Sequence, residues 1–240
     1  MGRIIRVGTL ISGGGTNLQA IIDACVKGAI DARICFTGSD IPGVRGLERA
    51  KAAGIDTFVV DYRSIIREFR ENPDDRRLPA DFSLNEIRAK QNLVPEQAGK
   101  EKIDFFLKTR AIAEKALLER MLSYDMDLLV LAGFMRTLTP YFIDRINTPP
   151  GRQRIMNIHP ALLPAFPGTD GYGDTFRYGC KIGGCTVHFI DYGEDTGPII
   201  GQKAFPIEDG DTLEAVKKKG LELEWQLYPE CIHKYAQGMI

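Results

Sequence analysis

The first 26 residues constrain the fold more than any other stretch. The apolar run Ile4-Ile5-Arg6-Val7-Gly8-Thr9-Leu10-Ile11 meets the loop Ser12-Gly13-Gly14-Gly15-Thr16-Asn17, and helical periodicity follows from Leu18 through Val26 with Gly28 near its end. The run reads as a buried strand, and a strand apolar on both faces requires cover on both. The same rhythm repeats as strand Ala32 to Thr37, helix Val44 to Ala53 closed by Gly54, and strand Thr57 to Asp61. Strands alternating with helices predict an α/β fold: Rossmann-like, with a mainly parallel twisted sheet and flanking helices.

The rhythm breaks between Ser64 and Lys102, where 16 of 39 residues are charged and Pro73, Pro79 and Pro95 interrupt any long helix. That composition predicts a surface insertion of short helices and loops that adds little core, with a lid or an oligomer contact as the other readings. Helical periodicity returns from Ile103 through Leu122, and Leu128-Leu129-Val130-Leu131-Ala132 is the fourth apolar strand. In an open α/β sheet, ligands bind outside the carboxyl ends of strands, so the Gly13 loop, the Gly133-Phe134-Met135-Arg136 loop and the segment around Asn157 should converge. Glycine-rich residues 169–184 then lead into strands Thr186 to Asp191 and Ile199 to Ile207, and into a closing helix from Asp211 to about Tyr235. One domain over 1–240 is expected, with a Rossmann-like part at 4–61 and 103–168, the insertion at 64–102, and C-terminal strands and helix at 169–240.

A formal net charge of -1 gives the 240-residue chain no global attraction to nucleic acid or to an anionic membrane. No apolar run approaches the length of a membrane span, and the start carries no signal-peptide pattern, so a cytoplasmic protein acting on small molecules is expected, as a monomer or homodimer. Five cysteines without a Cys-x-x-Cys pair read as core or incidental thiols. Cys180 and Cys185 lack the second pair that a zinc site needs, so no metal is expected.

Chemistry concentrates in three places. In Met156-Asn157-Ile158-His159-Pro160, strand alternation points Asn157 and His159 to one side, where an amide N–H and an imidazole can address one atom. Asp195 lies on the turn Gly193-Glu194-Asp195-Thr196-Gly197-Pro198, from which a carboxylate can orient the imidazole or relay a proton. Together they suit acyl transfer through an oxyanion, and no paired serine or cysteine nucleophile is evident. At the first helix, Gly14, Gly15, Thr16 and Asn17 form an anion cradle for a phosphate, with Asn17 also suited to the N-cap, although the loop lacks both the Gly-x-Gly-x-x-Gly spacing and a P-loop lysine. Arg136 reads as ligand-facing or as a solvated strand end, His188 as structural and His233 as surface.

The chain resembles the folate-dependent formyltransferases. The resemblance is carried by Leu10-Ile11-Ser12-Gly13-Gly14-Gly15-Thr16-Asn17-Leu18-Gln19-Ala20-Ile21, Gly46-Leu47-Glu48-Arg49-Ala50, Leu131-Ala132-Gly133-Phe134-Met135-Arg136, Asn157 through Pro164, Thr186-Val187-His188-Phe189 and Asp195 through Ile200. It covers residues 4–61 and 103–232, and its first motif points to the branch acting on glycinamide ribonucleotide. It implies a formyltransferase-type C-terminal extension of strands with a closing helix. It also implies formyl transfer from 10-formyltetrahydrofolate, as co-substrate, to the amine of that ribonucleotide in purine biosynthesis. On this resemblance Asn157, His159 and Asp195 are catalytic, and Gly14 to Asn17 hold the substrate phosphate. Pro160 and Glu224 meet the acceptor, while Met135, Arg136 and Leu138 line the folate site. Two features depart from the family pattern: the long 64–102 segment, and the stretch 169–176, which carries no histidine. The alternatives are a formyltetrahydrofolate deformylase, in which water replaces the amine, and a catalytically silent folate- or nucleotide-binding protein on the same scaffold.

Overall fold

The computed structural model describes residues 3–240. Seven strands form one sheet in the order β3-β2-β1-β4-β5-β6-β7: β1 Ile5–Ile11, β2 Ala32–Ser39, β3 Thr57–Val59, β4 Leu128–Leu131, β5 Ile155–His159, β6 Ile182–Phe189 and β7 Ile199–Pro206. The strands β1 to β5 pair in parallel, and β6 and β7 return antiparallel. The chain winds outward from β1 to β3, then jumps back to place β4 on the other side of β1. That reversal opens a crevice at the carboxyl ends of β1 and β4.

Both faces of the sheet are covered, as the apolar strands require. Along β1, Val7 and Ile11 enter one core cluster while Leu10 enters another; along β4, Leu128 and Val130 are separated from Leu129 and Leu131 in the same way. The first cluster packs under α1 (Thr16–Val26), α2 (Arg45–Ala52) and α8 (Leu213–Ala236). The second packs under α3 (Tyr62–Glu71), α4 (Leu84–Lys90), α5 (Lys100–Met121) and α6 (Pro140–Ile146).

The 64–102 segment corrects one expectation. Besides two short 3-10 turns it supplies most of α3, and α4, whose Phe69 and Ile87 are buried; Ile65, Ile66, Phe82, Leu84, Val94 and Ala98 pack against the second cluster. Burying one such large side chain contributes roughly 1.5–3 kcal/mol, so the segment is part of the core layer. Its charges occupy the outer helix faces, which average composition conceals.

The glycine-rich stretch 169–184 also differs from expectation. It contains a helix, α7 (Gly171–Tyr178), and β6 begins at Ile182 rather than at Thr186. Gly183 and Gly184 sit inside that strand because side chains there would run into the Phe205 ring and the Lys203 carbonyl, at 2.7 and 2.4 Å. They mark close packing, not a loop.

One buried acid lies away from the crevice. Glu114 of α5 is fully buried and accepts from the backbone N–H of Thr139 at 2.7 Å and from its hydroxyl at 2.5 Å. It thereby secures the N-cap residue of α6, whose own side chain makes no capping bond. Burial pushes this carboxyl up to about 8, against the opposing pull of the Thr139 bonds and of Arg110.

Candidate active site

The β1 and β4 loops are tied together at the crevice. The Ser12 N–H donates to the Gly133 carbonyl at 3.0 Å, and the Met135 N–H donates to the Ser12 hydroxyl at 2.8 Å. Asp40, at the end of β2, accepts from the Ser12 hydroxyl and the Arg136 guanidinium, both at 2.5 Å. The Arg136 guanidinium is therefore committed to Asp40 and to the Tyr62 ring, whose centroid lies 5.6 Å away. Its side chain borders the crevice with this charge already paired.

A cavity of about 430 Å³ opens there, lined by Asn17, Met135, Arg136, Leu138, Asn157, His159, Pro160, Asp195 and Glu224, among others. Asn157 and His159 share one side of β5, as alternation predicts, and both face this space. Asp195 reaches the same point from the loop after β6, with its Oδ2 3.1 Å from His159 Nδ1. The Gly168 N–H donates to that same Oδ2 at 2.8 Å. Asp195 adopts the left-handed region at φ 54, a conformation costing on the order of 1–3 kcal/mol in non-glycine residues, and the bonds to its carboxylate hold it there.

Both ring nitrogens of His159 face acceptors: Nδ1 meets Asp195, and Nε2 lies 2.7 Å from the Phe166 carbonyl. Neither partner can donate, so the pair of bonds is complete only when the ring is an imidazolium. Burial alone pulls the His159 pKa down. The bond to Asp195, its charge, the Phe166 carbonyl and the Glu224 charge outweigh that, and the net displacement is upward. Burial works against ionisation of Asp195 too, but the bonds from His159, His188 and Gly168 drive its pKa far below the usual carboxylate range.

His188 belongs to this group, which strand position alone did not reveal. It is fully buried, with Nδ1 2.9 Å from the Phe189 carbonyl and Nε2 3.2 Å from Asn157 Nδ2. The carbonyl can only accept, so Nδ1 carries a proton; Nε2 lies between Asn157 Nδ2 and Asp195 Oδ1, the latter 3.5 Å away, so that it accepts from the amide when unprotonated and donates to the carboxylate when protonated. Its burial and these bonds fit the expected structural role, with the Asn157 amide as its object. The sheet brings the two together: His188 pairs in register with Asn157 across the antiparallel β5–β6 ladder, a contact that the sequence does not announce.

On the opposite wall, Glu224 of α8 is buried and accepts from Asn17 Nδ2 and the Tyr172 hydroxyl, each at 2.6 Å. Burial raises its pKa, and the two donors and the His159 charge oppose that rise. Tyr172 lies in α7, within the stretch that lacks histidine, and gave no sequence signal. The expected capping role of Asn17 is not observed: α1 begins at Thr16, Gly15 is its N-cap, and no side chain caps it. Asn17 instead turns its side chain inward to Glu224. Gly14, Gly15 and Thr16 do not line the cavity with it; they lie beside it at the start of α1. Gly15 stands at φ 68 with the Gly46 Cα only 2.7 Å from where a side chain would begin, and the Gly46 N–H donates to the Gly13 carbonyl at 3.0 Å. The loop is thus moulded against the start of α2, where Arg49 donates to the Gly14 carbonyl at 2.9 Å. His233, expected at the surface, is half-buried, with Nδ1 3.3 Å from the Asp31 N–H.

Comparison with known proteins agrees with this geometry. The profile of the formyl transferase family matches residues 5–232. A phosphoribosylglycinamide formyltransferase of Haemophilus influenzae is 34% identical over 98% of this chain and 89% of its own, and one of Bacillus subtilis is 33% identical over 92% and 89%. The chain belongs to the phosphoribosylglycinamide formyltransferase family. In that family, the glycinamide ribonucleotide transformylase 1 of Symbiobacterium toebii superposes with a TM-score of 0.76 at 36% identity, covering 99% of this chain and 90% of the other. The trifunctional purine biosynthetic protein of Bos taurus is 30% identical over 98% of this chain, which spans only 19% of that longer protein. No helix among the described residues is long and apolar enough to cross a membrane.

Proposed function

We propose that the chain passes the formyl group of 10-formyltetrahydrofolate to the primary amine of glycinamide ribonucleotide by direct attack, without an acyl-enzyme. The observation that carries this reading is the meeting of Asn157, His159 and Asp195 in the lining of a single cavity, with Asp195 Oδ2 3.1 Å from His159 Nδ1. The amine nitrogen attacks the formyl carbon, and the carbonyl electrons move onto oxygen. Asn157 Nδ2–H and His159 Nε2–H donate to that oxyanion, which takes the place of the Phe166 carbonyl on His159. Collapse re-forms the carbonyl and breaks the bond from carbon to the folate nitrogen. That nitrogen gains a proton as the attacking nitrogen loses one. With its pKa so low, Asp195 is a weak base, and its part is to hold the imidazolium by charge and hydrogen bond.

Pro160, Glu224 and Asn17 face the acceptor, and the N-terminus of α1 with Gly14, Gly15 and Thr16 offers its N–H groups to the acceptor's phosphate. Met135 and Leu138, with the aliphatic part of Arg136, border the folate side. Holding both substrates end to end supplies the proximity contribution. The test is incubation with 10-formyltetrahydrofolate with and without glycinamide ribonucleotide, following tetrahydrofolate release and formylated product. Release that requires the amine and matches product mole for mole supports transfer; release that ignores the amine refutes it.

A further inference from the structure

The α4 segment reaches the loop that carries Asp195, and nothing in the chemistry above uses that contact. Beyond α4, the Asn92 N–H donates to the Tyr192 carbonyl at 2.9 Å, and Asn92 forms a parallel bridge with Gly193. The side chain of the same residue makes a second tie: the Tyr192 hydroxyl donates to Asp144 of α6, and Lys90 of α4 donates to the other oxygen of that carboxylate at 3.0 Å. The turn is also braced from within, since Asp191 accepts from the Gly193 N–H at 3.0 Å and the Thr196 hydroxyl at 2.6 Å. Gly193, Glu194 and Asp195 form part of the cavity wall. The turn is therefore pinned outside by Asn92 and Asp144 and inside by Gly168 and His159.

We infer that Lys90, Asn92, Asp144 and Tyr192 are positioning residues, a clasp through which the 64–102 segment sets where Asp195 stands against His159 and shapes the cavity wall that meets the formyl donor. The physical reason is the strain at Asp195. A turn holding a non-glycine residue at φ 54 persists only when its surroundings over-determine it. Asp195 and its bonds to Gly168 and His159 lie in the cavity lining, whereas Lys90, Asn92, Asp144 and Tyr192 do not line it. The 64–102 segment thereby acts on the reaction through Asp195. This rests on the proposed function only in naming the donor.

The test uses three variants of the full chain. Asn92→Pro removes the donor to Tyr192, and Gln91 before it already has φ -76 and ψ 143, which a following proline accepts. Tyr192→Phe removes the bond to Asp144. Asn92→Ala keeps the main-chain donor and should match the parent. We expect Asn92→Pro and Tyr192→Phe to lower kcat/KM for the formyl donor about five- to tenfold, with KM for the ribonucleotide within twofold. NMR titration should show the His159 pKa moved down in both, because Asp195 is held less closely. An unchanged His159 titration in folded Tyr192→Phe overturns the inference, as does an Asn92→Ala variant as impaired as Asn92→Pro. If Asn92→Pro does not fold, Tyr192→Phe alone decides. The titration needs no turnover, so absence of formyl transfer in the parent would sink the proposed function while leaving the clasp judged on its own reading.

Discussion

Asp195→Asn isolates the charge at the centre of the site. Asparagine keeps the size of the side chain and tolerates the left-handed backbone at φ 54, so the substitution adds no new strain. It removes a full charge 3.1 Å from His159 Nδ1, a separation at which attraction in an effective dielectric of about 20 is about 5 kcal/mol. Desolvation of this mostly buried pair offsets part of that attraction. What remains is enough for a hundredfold fall in kcat, equivalent to about 2.7 kcal/mol of barrier, the scale of losing one oxyanion donor. His159, left with the burial that disfavours its charge, should become neutral at a lower pH than in the parent. Steady-state kinetics with the formyl donor and the ribonucleotide read the first effect, and NMR of the imidazole reads the second. A variant retaining kcat within threefold of the parent would refute the electrostatic role and reduce Asp195 to a turn former.

Three further outcomes are expected. His159→Ala and Asn157→Ala should each lower kcat about a hundredfold or more with KM little changed, and near-normal turnover in either removes it from the catalytic group. Gly14→Val should fold, because a side chain there meets nothing within 4 Å, yet raise KM for the ribonucleotide and spare the donor; Gly15→Val, strained at φ 68 and driven into Gly46, should lower Tm instead. Equal loss of both substrates' binding in Gly14→Val would count against the phosphate loop. The His159–Asp195 pair should stabilise fully only between about pH 4 and 6.5, the ordinary values of its members. Below that window the contribution fades as Asp195 is protonated towards its lowered pKa, and above it as His159 loses its proton through its raised one. Tm measured against pH in the parent and in Asp195→Asn should therefore differ most inside the window; a constant difference across all pH would contradict the linkage.

The sheet was legible because burial on both faces leaves a dense signature: Val7, Leu10, Leu128 and Leu131 are apolar whichever side they face. Asn157 and His159 were legible for a related reason, since alternation along β5 is local geometry. Contacts between distant segments were not. Nothing near Asn17 foretells a bond to Glu224, 207 residues away, so its fitness for an N-cap misled. Tyr172 carried no signal for the same reason. The charged segment was misjudged because charge was averaged over 39 residues, while Phe69 and Ile87 sit on the one face of each helix that matters. Replacing that segment by a flexible linker would therefore strip one face of the second core, not trim a loop.

Glu114 ties this enzyme's stability to proton uptake. With its carboxyl pushed to about 8, it carries a proton at neutral pH that the unfolded chain, ionising near 4.5, does not hold. At this group the native state thus holds a proton that the unfolded chain lacks, and its contribution declines as pH rises from about 4.5 towards 8. Unfolding at pH 7 releases that proton to the buffer. The calorimetric heat of unfolding then includes the buffer's own heat of protonation, so scans in phosphate and in an amine buffer would return different enthalpies for the same structural change.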